Sequence, residues 1–192
     1  MKLLLLCAKA FETMEFSAFI DIFGWAREDY ACDITVCTCG FDQIVTSTFG
    51  VSIKVDILID AVRMEDFDAL AIPGGFREHG FGSEAYHEKT LKLIRAFDNA
   101  EKPIAAVCVA AFALAKSGIL NGRKATTYHL RGGECQRELE AYGVWVINEP
   151  VVVDKNVITS YCPQTAAEVA FTLLAMLAGT ETMVRVKGAM GF

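Results

Sequence analysis

Short apolar runs alternate with amphipathic segments along the whole chain. Lys2 to Cys7, apolar from Leu3 on, reads as a strand, and Met14 to Arg27 carries Phe16, Phe19, Ile20 and Phe23 at helical spacing. Ile34 to Cys37 reads as a strand, and Gln43 to Ile59 as short strands and turns around Gly50. Ala69 to Ile72 is a strand that stops at Pro73-Gly74-Gly75. Ser83 is placed to cap a helix over Glu84 to Asn99. A strand over Ile104 to Val107 runs into a helix over Val109 to Lys116, with Gly118 as its C-cap. Lys124 to Thr127 is a strand, and Glu134 to Tyr142 a helix closed by Gly143. Val144 to Ile147, Val151 to Val153 and Val157 to Ser160 are strands, the last two joined by a turn at Asp154-Lys155-Asn156. Pro163 opens a final helix that runs to Ala178 and stops at Gly179.

Strand and helix alternate from one end to the other, so the expected fold is α/β: a mostly parallel sheet with helices on both faces. With no linker, repeat or low-complexity stretch, residues 1–192 read as one domain. The tail from Glu181 to Phe192 reads as an arm that packs on the body or on a partner chain.

Composition narrows the function classes. Hydrophobic residues make up 53% of the chain, yet no apolar run reaches the ~18 residues that cross a bilayer. The opening apolar run is interrupted by Lys9 and Glu12, which favours a buried strand over a leader peptide. The net charge is −6 and no Lys/Arg cluster is present, which argues against nucleic acid and anionic membranes as partners and for a small molecule or a protein. Seven cysteines, an odd number in a chain long enough to fold without staples, are expected as free thiols in a reducing compartment, the cytoplasm. Cys37-Thr38-Cys39 has no second Cys/His pair at zinc spacing, so no metal is expected.

The segment Ile104 to Ala115 carries the most chemistry. A strand ends at Cys108 and an Ala-rich helix begins at once, the local pattern of a nucleophile raised on a sharp turn above helix N–H groups. Such a position favours a thiolate, lowering the thiol below its free value of ~8.5. On this pattern alone, Cys108 reads equally well as a small buried hydrophobe. The Gly74-Gly75 pair ends another strand on the same rim of the sheet, and paired glycines let N–H groups approach a ligand. With the Val109 N–H they form a candidate oxyanion site; an ordinary tight turn is the alternative. Glu15, between Met14 and Phe16, is a candidate protonated carboxyl facing the thiol, or else a solvated first-turn acid.

In order and spacing, several segments together make the chain resemble the ThiJ/PfpI superfamily over nearly its whole length, in the branch of the Parkinson-associated protein (DJ-one). They are Ala8-Lys9 with Met14-Glu15, Pro73-Gly74-Gly75, Ala105-Ala106-Val107-Cys108, Lys124-Ala125-Thr126-Thr127, Ile158 to Thr165, and Val186-Lys187. The resemblance implies a flavodoxin-like three-layer sandwich, similar to class I glutamine amidotransferases and usually dimeric. It implies Cys108 as nucleophile, Glu15 as its carboxyl partner, and Gly74, Gly75 and Val109 as the oxyanion and substrate-binding residues. Two positions depart from the pattern. Val109 follows the nucleophile where protease-like and amidotransferase-like relatives commonly carry His, and Tyr128 follows the Thr pair where a His is often found, with His129 one residue later. A one-residue slip at a strand end reverses a side chain, so His129 is either a partner of Cys108 behind the first contacts or a loop residue. His79 could line the cleft and His87 lies at a helix start; neither is assigned a catalytic role.

The implied activity is a cofactor-independent reaction on small reactive carbonyls: conversion of 2-oxoaldehydes to 2-hydroxy acids in the manner of a glyoxalase III, or deglycation. A redox sensor or chaperone built on the same cysteine is the alternative, and a cysteine protease or amidase is disfavoured by Val109. A homodimer is expected from the resemblance and from the spread of Phe16, Phe19 and Phe23 around the first helix.

Overall fold

Leu3, Leu4, Leu5 and Leu6 are all fully buried, so the first strand is covered on both faces and belongs in the middle of a sheet. The computed structural model, which describes residues 1–30 and 32–192, places it there. Strand β1 (Lys2–Leu6) leads through α1 (Thr13–Tyr30) to β2 (Thr35–Gly40). A hairpin of β3 (Ile44–Thr46) and β4 (Ser52–Lys54) follows, then β5 (Ile57–Leu58) and β6 (Ala69–Ile72). Helices α2 (Phe81–Ala85) and α3 (Glu88–Asn99) lead to β7 (Ile104–Val107), and α4 (Ala111–Ser117) to β8 (Lys124–Ala125). Next come α5 (Glu134–Glu140), β9 (Trp145–Val146) and the hairpin β10 (Val151–Asp154) and β11 (Val157–Ser160), and the chain ends in α6 (Ala166–Ala178) and α7 (Thr180–Ala189).

The main sheet has the order β10-β11-β7-β6-β1-β2-β5, and β10 alone runs antiparallel. The crossover from β1 to β2 travels one way along the sheet, while those from β6 to β7 and on to β11 travel the other. Right-handed crossovers therefore put α1 on one face and α3 with α4 on the opposite face. Helix α6 returns to pack against α1, and α7 lies on both. The direction in which successive strands are added reverses between β1 and β6, and beyond the carboxyl ends of strands at such a switch point lies the usual ligand crevice. No helix among the described residues is long and apolar enough to cross a membrane.

Three local expectations are corrected, while the tail takes one of the two placements expected of it. The helix foreseen over Glu84 to Asn99 breaks at Tyr86-His87: the Tyr86 hydroxyl donates to the Val109 carbonyl (3.4 Å), and His87, not Ser83, caps α3 by accepting the Lys89 N–H (3.2 Å). Ser83 donates instead to the Gly80 carbonyl. Strands β8 and β9 are shorter than foreseen and form a separate ribbon, because Thr126 and Thr127 leave the ladder for other partners. The tail is helical and packs on the body. Of the three α1 phenylalanines, Phe19 and Phe23 both lie in the core and Phe16 is half-buried against it, so they do not face two ways.

Candidate active site

After β1 the chain is zipped onto the turn after β6. The Glu12 N–H donates to the Gly74 carbonyl (2.8 Å) and the Phe76 N–H to the Ala10 carbonyl (3.4 Å), making an isolated antiparallel bridge between Phe11 and Gly75. This bridge starts α1 over the end of β6 and delivers Glu15 to Gly74, whose N–H donates to Glu15 Oε2 at 2.5 Å. In a bridge of this kind the paired residues' own polar groups face away from each other. The Gly75 N–H is therefore turned from Phe11, and Gly75 lines the cavity above Cys108.

The backbone at Cys108 is left-handed, φ 57°, directly after an extended Val107. A non-glycine residue in that region carries strain. Two contacts hold it: the Cys108 carbonyl accepts the Thr127 hydroxyl (2.8 Å), and Thr126 is fixed by its N–H donating to Thr159 Oγ1 (2.9 Å). Here the departure of Thr126 and Thr127 from β8 finds its cause. A 3-10 turn over Cys108–Ala110 precedes α4, and the Val109 N–H faces the sulfur.

Gly74 is the hinge of the arrangement. A Cβ there would stand 2.7 Å from Glu15 Oε2, 2.7 Å from the Val107 carbonyl and 3.0 Å from Cys108 Cβ, so Glu15 and Cys108 meet across a position only glycine can fill. We predict that Gly74→Ala costs roughly 1–3 kcal/mol, as overpacking does, and slows alkylation of Cys108. Calorimetry and iodoacetamide kinetics check this, and an unchanged melting temperature with unchanged alkylation would contradict the packing described.

Glu15 is completely buried, and its pKa is pushed up to about 8, first by burial and also by the charge of Glu12; the Gly74 N–H and the Cys108 thiol pull it back. Oε2 is taken by Gly74, whereas Oε1 has no hydrogen bond of regular geometry. The carboxyl proton accordingly belongs on Oε1, and the Cys108 thiol is a hydrogen-bonding neighbour of the carboxyl group. The thiol itself is pushed up rather than down, by burial and then by the Glu15 charge, with only the Val109 N–H opposing. The expectation of a thiolate preformed by a helix end is thus corrected. A 3-10 turn brings one N–H to the sulfur, and one N–H does not offset burial beside a carboxyl. The two acids resist ionising together, so the pair titrates as a unit.

A cavity of about 260 Å³ opens over this pair. Cys108, Val109, Glu15 and Gly75 form its floor. Glu12, Phe76, Arg77 and Glu78 line one wall, and Tyr128, Leu130, Pro163 and α5 residues the other. Arg77 bridges the walls through an ion pair with Glu138 (2.7 Å) while its guanidinium lies over the Phe112 ring. His129 does not line the cavity. Tyr128 and Leu130 face the cavity, and His129, between them, stacks on Tyr161 with ring centroids 3.9 Å apart. His79 is exposed and lies outside the cavity lining. Sequence reasoning overlooked Tyr128, Arg77 and Cys135 as cavity residues. The alternation of an extended segment could have found Tyr128, since placing His129 away from the site places its neighbour toward it.

The model of the DJ-1/PfpI family matches residues 1–176. The deglycase PfpI of Pyrococcus furiosus is 31% identical over 165 residues, covering 85% of this chain and 91% of that protein. Protein dj-1beta of Drosophila melanogaster is 31% identical over 185 residues, covering 95% and 92%, and its crystal structure superposes with a TM-score of 0.85 over 98% of this chain and 96% of that one. The chain also matches DJ-1 homolog A of Arabidopsis thaliana at 29% identity over 91% of its own length but spans only 42% of that protein.

Proposed function

The chain belongs to the DJ-1/PfpI family, and from that premise we propose that it is a cysteine-dependent enzyme that acts on small reactive carbonyls without a cofactor. The observation that carries this reading is the strained Cys108 set against a buried, protonated Glu15 at the floor of a small cavity. The relative named a deglycase supports carbonyl chemistry. The conversion of a 2-oxoaldehyde such as methylglyoxal to a 2-hydroxy acid suits the groups present.

The pair loses its first proton from Glu15; the carboxylate then takes the Cys108 thiol proton as the substrate binds, so the attacking form has the sulfur as thiolate and Glu15 protonated. The sulfur attacks the aldehyde carbon, and Glu15 gives its proton to the aldehyde oxygen, leaving a hemithioacetal and a carboxylate. The Gly75 and Val109 N–H groups face that oxygen as charge develops on it. Glu15 then takes the proton from the thiol-bearing carbon and returns one to the neighbouring carbon, while the hemithioacetal hydroxyl gives up its proton and the neighbouring ketone oxygen gains one. The electron pair of the broken C–H bond stays within the substrate, so the product is the thioester of a 2-hydroxy acid and no oxidant is required. Water cleaves the thioester, releasing the acid and restoring the ionised pair.

The test is methylglyoxal turnover by the wild-type chain, followed as lactate. Turnover above that of free thiol is expected. Its absence, with Cys108 still alkylated readily by iodoacetamide, would favour a redox sensor on the same residue. His129→Ala should slow turnover by well under the ~10²-fold that marks a general acid–base group, because the ring packs on Tyr161. Loss as complete as for a missing cysteine would restore a Cys–His pair and remove Glu15 from the principal role.

The proposal extends to a homodimer in the cytoplasm. All seven cysteines are free thiols, which suits a reducing compartment. Two exposed apolar side chains support a second copy: Met14 at the start of α1 is 62% exposed, and Phe49, in the β3–β4 turn against Phe76, is 71% exposed. Light scattering at micromolar concentration is expected to give twice the chain mass, and a monomer would exclude this assembly.

A further inference from the structure

Two of the seven thiols, Cys108 and Cys135, line the cavity. Cys7, Cys37 and Cys39 are buried in or directly after β1 and β2, and Cys32 lies in the segment shortly before β2. Cys162 is buried as a helix N-cap, its sulfur held by the Gln164 and Thr165 N–H groups. Cys135, by contrast, is half-exposed on the wall facing Cys108, in the first turn of α5. We propose that Cys135 is the resolving thiol of Cys108: after a hydroperoxide oxidises Cys108, Cys135 captures the product as a Cys108–Cys135 disulfide that closes the cavity.

Three observations carry this. The cavity is small, about 260 Å³, and it is lined by both Cys108 and Cys135, whereas Cys162, whose charge also acts on Cys108, lies outside its lining. The segment before α5 is built to pivot: Arg131, Gly132 and Gly133 all have left-handed backbones, φ 53°, 70° and 73°, and two of the three are glycines that leave that region at little cost. The first turn of α5 is tied to the body by exchangeable side-chain bonds, from Gln136 to Thr126 (3.4 Å) and to Asn148 (3.2 Å). Burial and the Glu138 and Glu134 carboxylates push the Cys135 thiol up, and the Arg77 and Arg131 guanidiniums offset this only in part, so Cys135 acts as an ordinary thiol that captures an already oxidised sulfur.

The chemistry balances. The Cys108 sulfur attacks the O–O bond of a hydroperoxide, gives up two electrons and becomes a sulfenic acid, while the peroxide leaves as an alcohol, or as water from hydrogen peroxide. The Cys135 sulfur attacks the Cys108 sulfur, the S–OH bond breaks, and the hydroxide leaves as water with the Cys135 proton. A dithiol reverses the bond. Capture at this stage stops Cys108 short of sulfinic acid, the step that is not reversed by thiols.

This inference rests on Cys108 being the nucleophile of the proposed function, and the experiment separates the two. The reduced full-length chain is treated with hydrogen peroxide, quenched with iodoacetamide and mapped by mass without reduction. The expected result is a peptide pair joined through Cys108 and Cys135 that dithiothreitol separates. The link should persist in Cys162→Ser, whereas in Cys135→Ser Cys108 should advance to sulfinic acid. Wild-type Cys108 going to sulfinic acid with Cys135 alkylated, or linked to Cys162, overturns the resolving role and leaves the nucleophile intact. A Cys108 inert to both peroxide and iodoacetamide overturns both.

Discussion

Cys108→Ala is expected to form no lactate from methylglyoxal above the uncatalysed rate, with the fold intact. The side chain is small and the alanine methyl keeps Cβ, so packing against Gly74 persists. The backbone stays at φ 57°, because the Thr127 hydroxyl bonds to the carbonyl and not to the sulfur. What disappears is the only atom that can hold the substrate covalently, and with it the hemithioacetal on which every later proton transfer acts. Circular dichroism alongside the assay separates lost chemistry from lost structure. Residual turnover within tenfold of wild type would mean that another thiol does the work, and Cys135 would be the first to test.

Glu15→Gln is expected to lower turnover by roughly 10²–10⁴-fold, the range of a general acid–base group, while leaving Cys108 open to alkylation. The amide keeps the shape and accepts the Gly74 N–H through its oxygen, but it cannot release and recover a proton. The same substitution changes the pH dependence of stability, and the sign follows from the raised pKa. In the wild type the folded state holds the Glu15 proton up to about 8, whereas the unfolded chain releases it near the ordinary 4.5. Between these values the folded state binds more protons, so stability is fully present below the lower one, falls as pH rises, and levels off above the upper. The loss is on the order of a few kcal/mol. Glutamine removes it, so the melting temperature of the variant should overtake that of the wild type as pH climbs toward 8. Parallel curves for the two proteins would show that Glu15 is not a buried acid. Turnover runs the other way: wild-type activity should rise toward pH 8 as the pair sheds its one proton.

Much of this was legible in the sequence for physical reasons. Buried parallel strands are short continuous apolar runs, so Lys2 to Cys7 and Ile104 to Val107 stand out with little ambiguity. The floor of the site was readable because its parts sit at strand ends. What stayed hidden depends on contacts between distant segments. Nothing local in Glu84 to Asn99 reveals that Tyr86 will reach across to Val109 and break the helix. Nothing local in Thr126-Thr127 reveals that the Thr126 N–H will bond to Thr159 and the Thr127 hydroxyl to the Cys108 carbonyl. The direction of the Cys108 shift was missed for a related reason. A helix-end argument counts nearby N–H groups, but burial beside Glu15 is set by the whole enclosure.

The two edges of the main sheet bear on how copies of this chain can meet. Strand β5 offers only Ile57–Leu58 to an incoming strand. At the far edge, the β8–β9 ribbon leans on β10, where the Lys124 N–H donates to the Asp154 carboxylate and not to a strand carbonyl. Open strand borders are templates for fibrous growth and runaway stacking. Here one border is too short and the other is occupied, so a crowded solution of this protein is shielded from polymerisation through the borders of its main sheet.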